Sequence, residues 1–405
     1  MAQRDAAWCT AIRHRLHVPD VLPDLAVKTW SSFSPAKGVT AERVTYATAD
    51  GMTVPAIVYM PDPIPAEKLP GIVVVNGHGS DKFGWYAFWS GIEFARAGAM
   101  VVTYDPIGEG ERNIDKKSNA GSHDGLPLEF GTRLAGLMQV DLMQAVTFLA
   151  QRKEVDPKRI AVLGYSMGSF VAGITGAIDP RIHALVLSGG GVFGGAGSYF
   201  DRGNKPCQVS PYRALSEVID ADERGHILFT LNADRGPTLV MNGLTDGVMG
   251  IPNTGPDWFA KLRTDTIAMH GSDANMFTTI FYPEVGHRPS WVTRDGLLWL
   301  QEQIHFTNWT RATIESAPLT HISEWAKAND VFITKNYLRE DREGGLMAVG
   351  TDVPGVKRDD LMVLPSADWD RLKPQLIYET WAAKIMKQYP PEPMRDIPVA
   401  PVRTQ

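Results

Sequence analysis

The sequence predicts an α/β fold in which a mixed, mostly parallel sheet carries helices on both faces. Short continuous apolar runs are the first observation, because strands buried on both faces have this pattern. The runs lie at residues 71–75, 99–104, 160–163, 183–188, 237–242 and 278–282. Helical stretches at residues 86–97, 134–151, 168–178 and 257–269 alternate with them. This alternation favours parallel strands joined by right-handed crossovers.

A hairpin signal precedes the alternating region and makes the predicted sheet mixed. Two β-rich stretches, residues 42–48 and 53–60, flank Asp50-Gly51, a frequent turn dipeptide. Because a hairpin pairs its two strands antiparallel, the sheet is expected to hold antiparallel strands beside the parallel ones.

The composition is that of a globular protein. Of the 405 residues, 44% are hydrophobic and 21% are charged, which excludes a disordered or fibrous chain. The net charge of −6 gives no general attraction to nucleic acid or to anionic membranes, so neither is a predicted partner. Residues 1–9 lack the apolar core of a signal peptide. That favours the cytoplasm, and it leaves a secreted or periplasmic location open if a leader was removed.

One motif carries the chemistry. Gly164-Tyr165-Ser166-Met167-Gly168 directly follows the strand at 160–163 and directly precedes a predicted helix. A Gly-x-Ser-x-Gly sequence in this context forms a nucleophile elbow, a sharp turn that exposes the serine hydroxyl. The glycines let neighbouring backbone approach the bend. We therefore predict that Ser166 is a nucleophile; the alternative is an inert serine in a glycine-rich packing turn.

An acid and a histidine follow Ser166 in the order that serine hydrolases of this topology use. Asp246 comes just after the strand at 237–242, and His287 comes just after the strand at 278–282. The carboxyl ends of parallel strands share one edge of a sheet, so both side chains are expected beside the elbow. We predict that His287 is the general base and acid and that Asp246 orients its ring. The alternative for Asp246 is a turn residue or helix cap, in which case Asp234 or Asp257 is the competing acid. The alternative for His287 is an ordinary loop histidine.

An oxyanion hole needs two backbone N–H groups. One is predicted from Met167, the residue after the nucleophile. The other is predicted from the loop Asn76-Gly77-His78-Gly79-Ser80, where the His78 amide is favoured and the Gly79 amide is the alternative one register later. The His78 side chain either shapes the pocket or is held by local hydrogen bonds.

No cofactor or metal ion is predicted. The glycines at 189–197 lack the Lys-Ser/Thr ending of a phosphate loop, and no metal-ligand spacing occurs. The two cysteines, Cys9 and Cys207, have no redox or metal spacing, and whether they pair is left open.

These motifs resemble the α/β-hydrolase superfamily, in the branch of dienelactone-hydrolase-like proteins, acetyl xylan esterases and prolyl-oligopeptidase-type catalytic domains. The matching segments are Asp50-Gly51, Val54-Pro55-Ala56, residues 76–79, 104–112, 155–160 and 164–168, Asp246 and Val285-Gly286-His287. Two positions depart from the pattern: Asn76-Gly77 stands where many relatives have His-Gly, and Ser166 stands where dienelactone hydrolases have cysteine. The resemblance covers about residues 40–305.

Residues 1–40 mix short helical signals with prolines and are expected to form an N-terminal arm. The resemblance implies an α/β-hydrolase catalytic domain at residues 41–305. Residues 306–405 lie beyond the resemblance and are expected to form a helical C-terminal extension packed on the core. Residues 190–235 are expected as a cap insertion whose aromatic residues line the site or pack in the core: Tyr199, Phe200, Tyr212 and Phe229. In the loop at 105–112, Glu109 or Arg112 either approaches the site or braces the loop. Tryptophans such as Trp85, Trp89 and Trp291 are expected in the core, with a carbohydrate platform as the alternative.

The predicted activity is that of a serine carboxylesterase working through an acyl-enzyme intermediate. The resemblance favours small acyl groups, such as acetyl on a carbohydrate. An acyltransferase, a peptidase or a C–C bond hydrolase with the same triad is the main alternative, and a non-catalytic binding protein on this fold is a third. The oligomeric state is left open.

Overall fold

The computed structural model describes residues 2–119, 121–194, 206–207, 214–220, 222–331, 346–350 and 352–392. A nine-stranded sheet forms its centre, with the spatial order β1-β2-β3-β5-β4-β6-β7-β8-β9. The strands are β1 Lys28–Ala36, β2 Val39–Ala47, β3 Thr53–Pro61, β4 Leu69–Val75, β5 Met100–Tyr104, β6 Val155–Tyr165, β7 Ala184–Ser188, β8 Thr238–Gly243 and β9 Thr278–Tyr282. The pairs β1–β2, β2–β3 and β3–β5 are antiparallel. The pairs β5–β4, β4–β6, β6–β7, β7–β8 and β8–β9 are parallel. The mixed, mostly parallel sheet is therefore confirmed.

Helices cover both faces of this sheet. They are α1 Ala2–Arg15, α2 Trp85–Ala97, α3 Gly131–Gln151, α4 Met167–Ile178, α5 Arg224–Arg235, α6 Ile251–His270, α7 Arg294–Ile304, α8 Arg311–Ser316, α9 Ile322–Ala328, α10 Ser366–Leu376 and α11 Tyr378–Gln388. One apolar core lies under α3, α4, α5 and α6, and the other lies under α2 and α7. All seven residues of β4 are buried. Their side chains point alternately to the two faces of the sheet, and helices cover both faces, so the strand contributes to both cores.

Local sequence explains where several elements begin and end. Gly98, at φ 97°, ends α2 in the left-handed conformation that glycine adopts without a steric penalty. The Thr293 side chain accepts a hydrogen bond from the Gly296 amide and so caps the start of α7. The helices α10 and α11 are separated at Ile377, where the extended backbone (ψ 131°) ends the first helix.

Two segments differ from their expected place. Residues 28–36, expected in the N-terminal arm, form the edge strand β1 and pair with β2. Within the 190–235 region, residues 224–235 form α5, which packs against α4 and α6 as an ordinary covering helix. Tyr199, Phe200 and Tyr212 lie outside the described residues. Phe229 is buried and stacks on Phe277 with ring centroids 4.1 Å apart, so it packs in the core.

The C-terminal helices are attached to both cores. Trp369 and Leu376 join the core under α2, whereas Tyr378 and Trp381 join the core under α3. The Trp381 indole N–H also donates to the carboxylate of Asp50, in the β2–β3 turn, at 2.9 Å. Residues 366–388 are thus held by packing and by polar contacts. Among the helices of the described ranges, none has the length and apolar character needed to cross a membrane.

Candidate active site

Ser166 occupies a sharp turn between β6 and α4. Its backbone has φ 52° and ψ −119°, a strained conformation for a residue with a side chain. A Cβ at Gly164 would lie 2.2 Å from the Gly168 carbonyl oxygen, and a Cβ at Gly168 would lie 2.3 Å from that of Val75. Both glycines are therefore required by close backbone contacts. The turn has the geometry of a nucleophile elbow.

The structure brings Ser166, His287 and Asp246 together into one hydrogen-bonded chain. The Ser166 hydroxyl Oγ lies 2.8 Å from His287 Nε2. On the other side of the ring, His287 Nδ1 lies 2.9 Å from Asp246 Oδ2. A carboxylate can only accept, so the ring carries its proton on Nδ1, and Nε2 is left to accept from the serine. This arrangement can deprotonate the serine hydroxyl.

Asp246 is fully buried, and its second oxygen is held by the following turn. Oδ1 accepts from the amides of Val248 at 2.9 Å and Met249 at 3.0 Å, which fixes the carboxylate toward the histidine. The competing acids are elsewhere. Asp234 contacts His270 at 2.9 Å, and Asp257 is exposed on α6.

The loop after β4 lies against the elbow. A Cβ at Gly77 would lie 3.1 Å from the Ser166 Cβ and 2.8 Å from the Tyr165 ring, so only glycine fits there. The Gly79 amide donates to Glu109 Oε1 at 3.1 Å. The two predicted oxyanion donors from this loop are the His78 and Gly79 amides, and the Gly79 amide is hydrogen-bonded to Glu109. Met167 begins α4, where amides have no partner within the helix.

Glu109 connects the loop after β4 to the loop after β5. Besides the Gly79 amide, its carboxylate accepts from the Ser122 hydroxyl at 2.5 Å and the Asn119 amide at 3.2 Å. Burial raises the pKa of Glu109 to about 8, although these donors act in the opposite direction. The loop at 105–112 therefore reaches the site region through Glu109. Arg112 instead braces the interior by pairing with the buried Asp141.

A buried ion cluster supports the same loops. Lys82 Nζ lies 2.5 Å from Asp105 Oδ2 and 2.9 Å from Glu111 Oε2, and all three side chains are almost completely buried. Burial alone would lower the pKa of Lys82, but the surrounding carboxylates outweigh it and raise that pKa. Glu111 also accepts from the amides of Val363 at 2.8 Å and Leu364 at 2.9 Å. The cluster thus joins the loop after β4 to the C-terminal extension.

Aromatic rings pack beside His287, and sequence reasoning missed them. The Tyr165 ring lies 5.6 Å from the His287 ring and stacks on Tyr86 at 4.3 Å. The Tyr86 hydroxyl donates to the Pro289 carbonyl at 2.8 Å and so anchors the loop that carries His287. Arg288 donates to the Tyr165 hydroxyl. Tyr165 lies inside the recognised motif, but nothing in its sequence context indicates this stack.

The predicted tryptophans belong to the core. Trp85, Trp89 and Trp291 are buried under the sheet, and Trp89 contacts Trp325 edge-to-face at 4.3 Å. These three indoles are unavailable as a carbohydrate platform.

Two family models match parts of the chain. The prolyl oligopeptidase family matches residues 132–314, and the acetyl xylan esterase family matches residues 23–188. Among curated proteins, thiohydrolase apmlB of Arthrinium phaeospermum is 30% identical over 146 residues, which are 36% of this chain and 42% of that protein. The chain spans less than half the length of the curated relatives it matches.

Solved structures resemble a larger part of the chain. Methylesterase BT1017 has a TM-score of 0.60 at 21% identity and covers 95% of this chain and 74% of its own. An acetyl xylan esterase from Paenibacillus sp. R4 has a TM-score of 0.51 at 18% identity, covering 74% of this chain and 94% of its own. At these identities the likeness establishes the fold. Each family match covers less than half of the chain; together with the solved structures, these matches show an α/β-hydrolase-like fold similar to that of acetyl xylan esterases.

Proposed function

We propose that this protein is a serine hydrolase that cleaves carboxylic esters, with Ser166 as nucleophile, His287 as general base and acid, and Asp246 as the group that orients the histidine. The continuous chain of hydrogen bonds from the serine hydroxyl through the imidazole to a buried carboxylate carries the proposal. The elbow backbone at Ser166 adds support, because a strained serine conformation is retained where function needs it.

The reaction divides into two acyl transfers. Ser166 Oγ attacks the ester carbonyl carbon while its proton moves to His287 Nε2, and the resulting oxyanion is held by the amides of Met167 and His78. We favour His78 over Gly79 because the Gly79 amide is donated to Glu109. The tetrahedral intermediate collapses, the C–O bond to the alcohol breaks, and the alcohol leaves with the proton from Nε2. Water then attacks the acyl-enzyme by the same steps and releases the acid.

Two substrate classes follow from the comparisons. In an acetyl ester of a carbohydrate, the acyl part is small and the sugar is the alcohol; the acetyl xylan esterase family match supports this class. In a methyl ester, the acid is the acyl part and methanol leaves; the likeness to methylesterase BT1017, which covers 95% of this chain, favours this second candidate. The released small molecule, acetate or methanol, distinguishes the two.

The test begins with a fluorophosphonate probe on the full chain. We expect one adduct, on Ser166, and none in Ser166→Ala; the equally small change Ser316→Ala, at an exposed serine of α8, is the control. Acetylated and methyl-esterified oligosaccharides are then supplied and the products are measured. Unchanged ester hydrolysis by Ser166→Ala overturns the triad assignment. A labelled Ser166 that transfers acyl groups to an added alcohol faster than to water, or cleaves only peptides, overturns the hydrolase assignment in favour of an acyltransferase or peptidase.

A further inference from the structure

Three side chains that can bind metal ions, two imidazoles and one thiol, meet beside the loop after β4 although they come from distant parts of the chain. His78 lies on that loop, His123 lies in the segment between β5 and α3, and Cys207 lies in the segment between β7 and α5. One nitrogen of each ring and the cysteine sulfur all lie within 4.8 Å of one another. His123 and Cys207 are buried, and His78 is half-buried.

The spacing of these atoms is close to that of a coordination sphere. Cys207 Sγ lies 3.5 Å from His78 Nε2. In a tetrahedral zinc site, bonds of about 2.3 Å to sulfur and 2.0–2.1 Å to nitrogen hold the two donors about 3.5 Å apart. The donor atoms all lie within 4.8 Å of one another, so the other pairs need to close by at most about 1.5 Å to reach the same geometry. The two imidazole rings are also nearly parallel, with centroids 5.7 Å apart.

The orientation of His123 is set by a contact outside the cluster. Its Nε2 lies 2.7 Å from the Ile107 carbonyl oxygen. A carbonyl can only accept, so Nε2 carries the ring proton and Nδ1 keeps its lone pair. Histidines that bind metals characteristically donate their second ring N–H to a carbonyl or carboxylate, which fixes the ring and its tautomer. His123 thus has the tautomer in which Nδ1 can act as a ligand.

Neighbouring residues hold the His123 ring in place. A Cβ at Gly108 would lie 2.8 Å from Nε2, so glycine at this position makes room for the ring. Tyr378 of α11 packs edge-on against it at 5.1 Å, and its hydroxyl donates to the His123 carbonyl at 3.3 Å. The donor is therefore held by the β5–α3 segment and by the C-terminal extension.

We propose that His78 Nε2, His123 Nδ1 and Cys207 Sγ form a binding site for Zn²⁺. Two imidazole nitrogens and one thiolate are a ligand set that zinc prefers, and three protein ligands leave the fourth tetrahedral position for water or another small donor. Binding releases the Cys207 thiol proton, because the thiolate is the ligand. The metal would join the loop after β4 to the segment at 206–207. Sequence analysis predicted no metal site because the three donors are far apart in the chain and form no spacing motif.

Zinc binding to the metal-free full-length protein is the first test. We expect one equivalent of Zn²⁺ to bind in competition with a chromogenic chelator. Co²⁺ in the same site should give the near-ultraviolet charge-transfer band of a cobalt–thiolate bond. Cys207→Ser and His123→Ala should each weaken zinc binding by more than about 100-fold, since even the partners of metal ligands contribute 10–100-fold. Cys9→Ser is the matched control, because the chain has only these two cysteines, and it should bind zinc like the wild type.

Alkylation of the wild type tests the site if a variant fails to fold. Zn²⁺ should protect Cys207 from iodoacetamide and leave the labelling of Cys9 unchanged, which peptide mass mapping resolves. The proposal is overturned if zinc binds no more tightly than to Cys207→Ser, if the cobalt complex lacks the thiolate band, or if Cys207 is alkylated at the same rate with and without zinc. Those results would define the cluster as a hydrogen-bonded thiol–imidazole pair. None of these measurements depends on esterase activity, so the site and the proposed reaction succeed or fail separately.

Discussion

The Glu109 carboxylate accepts the Gly79 amide at 3.1 Å and so fixes the loop that carries the proposed oxyanion donor His78. Glu109 is buried and belongs to the loop after β5, so we expect it to position the loop after β4 rather than to take part in the reaction. A small shift of an oxyanion donor slows the reaction, because its hydrogen bond to the transition state is short and depends on its position. A residue that holds the donor's loop in place therefore affects the rate indirectly.

Replacing Glu109 with alanine is expected to lower kcat by about 10-fold, with a smaller change in KM, because a displaced oxyanion donor weakens transition-state binding selectively. Glu109→Gln keeps one carbonyl oxygen for the Gly79 amide and should retain most of the activity. Since burial raises the pKa of Glu109 to about 8, the better acceptor forms as the pH rises through that value. Wild-type kcat should therefore rise there, and the rise should be absent in Glu109→Gln.

The exposed Glu129 provides the control, and Glu129→Ala should match the wild type at every pH. A wild-type kcat in Glu109→Ala, or the same inflection in Glu109→Gln, would rule out the positioning role.

Asp246→Asn tests the orienting carboxylate. An asparagine side chain of the same shape can present its N–H₂ group to His287 Nδ1, which favours the tautomer that cannot accept the serine proton. The expected loss of kcat is about 10⁴-fold, the size seen when a triad aspartate becomes an amide. Asp234→Asn is a matched control, because Asp234 also lies 2.9 Å from a histidine, His270, but away from the elbow. Steady-state kinetics of ester hydrolysis measure kcat for both variants. Equal losses of kcat in Asp246→Asn and Asp234→Asn would contradict the assignment of Asp246 as the orienting carboxylate.

Lys82→Met should destabilise the fold strongly. The change leaves Asp105 and Glu111 buried without their shared cation, and removing one partner of a buried ion pair costs about 3–5 kcal/mol. Lys261, paired with Asp265 on the surface of α6, is the control, and Lys261→Met should leave the free energy of unfolding close to that of the wild type. Urea unfolding measures both. Similar values for the two variants would show that the buried cluster contributes no more than a surface pair.

The sequence was sufficient for the sheet and the elbow, and the reason is physical. Residues 69–75 of β4 and 160–165 of β6 are buried on both faces and mostly apolar, a pattern that a buried parallel strand produces directly. The turn at Ser166 depends on Gly164 and Gly168, whose missing side chains are visible in the sequence as a motif. Where a structure follows from local residue types, the local sequence predicts it.

Features that depend on long-range contacts were not predictable in this way. The Tyr165–Tyr86 stack, the Glu109–Gly79 bond and the meeting of His78, His123 and Cys207 each join segments that are distant in the chain. Residues 28–36 were expected in an arm because residues 1–40 mix short helical signals with prolines. Pro35 lies within the register shift between Phe33 and Ala36 of the edge strand, where proline is tolerated.

Glu93 should make the stability of the protein depend on pH. The side chain lies on α2, buried, with Arg96 at 2.9 Å and Asp352 paired to the same guanidinium. Burial raises the pKa of Glu93 to about 7 from 4.5, although Arg96 opposes the shift. Between these values the native state keeps a proton that the unfolded chain has lost. The contribution of Glu93 to the free energy of unfolding therefore falls by up to about 3 kcal/mol as the pH rises from about 4.5 to about 7. Outside that window the contribution of Glu93 does not change with pH.

Glu93→Gln removes the titrating proton and should flatten this part of the pH profile. Urea unfolding of wild type and variant at several pH values between about 4.5 and 7.5 gives the difference in slope directly, and other buried acids cancel in that difference. Glu302→Gln, at an exposed glutamate paired with Arg311, is the control and should leave the wild-type slope intact. Parallel profiles for wild type and Glu93→Gln would mean that Glu93 titrates in the folded protein as it does in the unfolded chain. In that case Arg96 would have to offset the whole effect of burial.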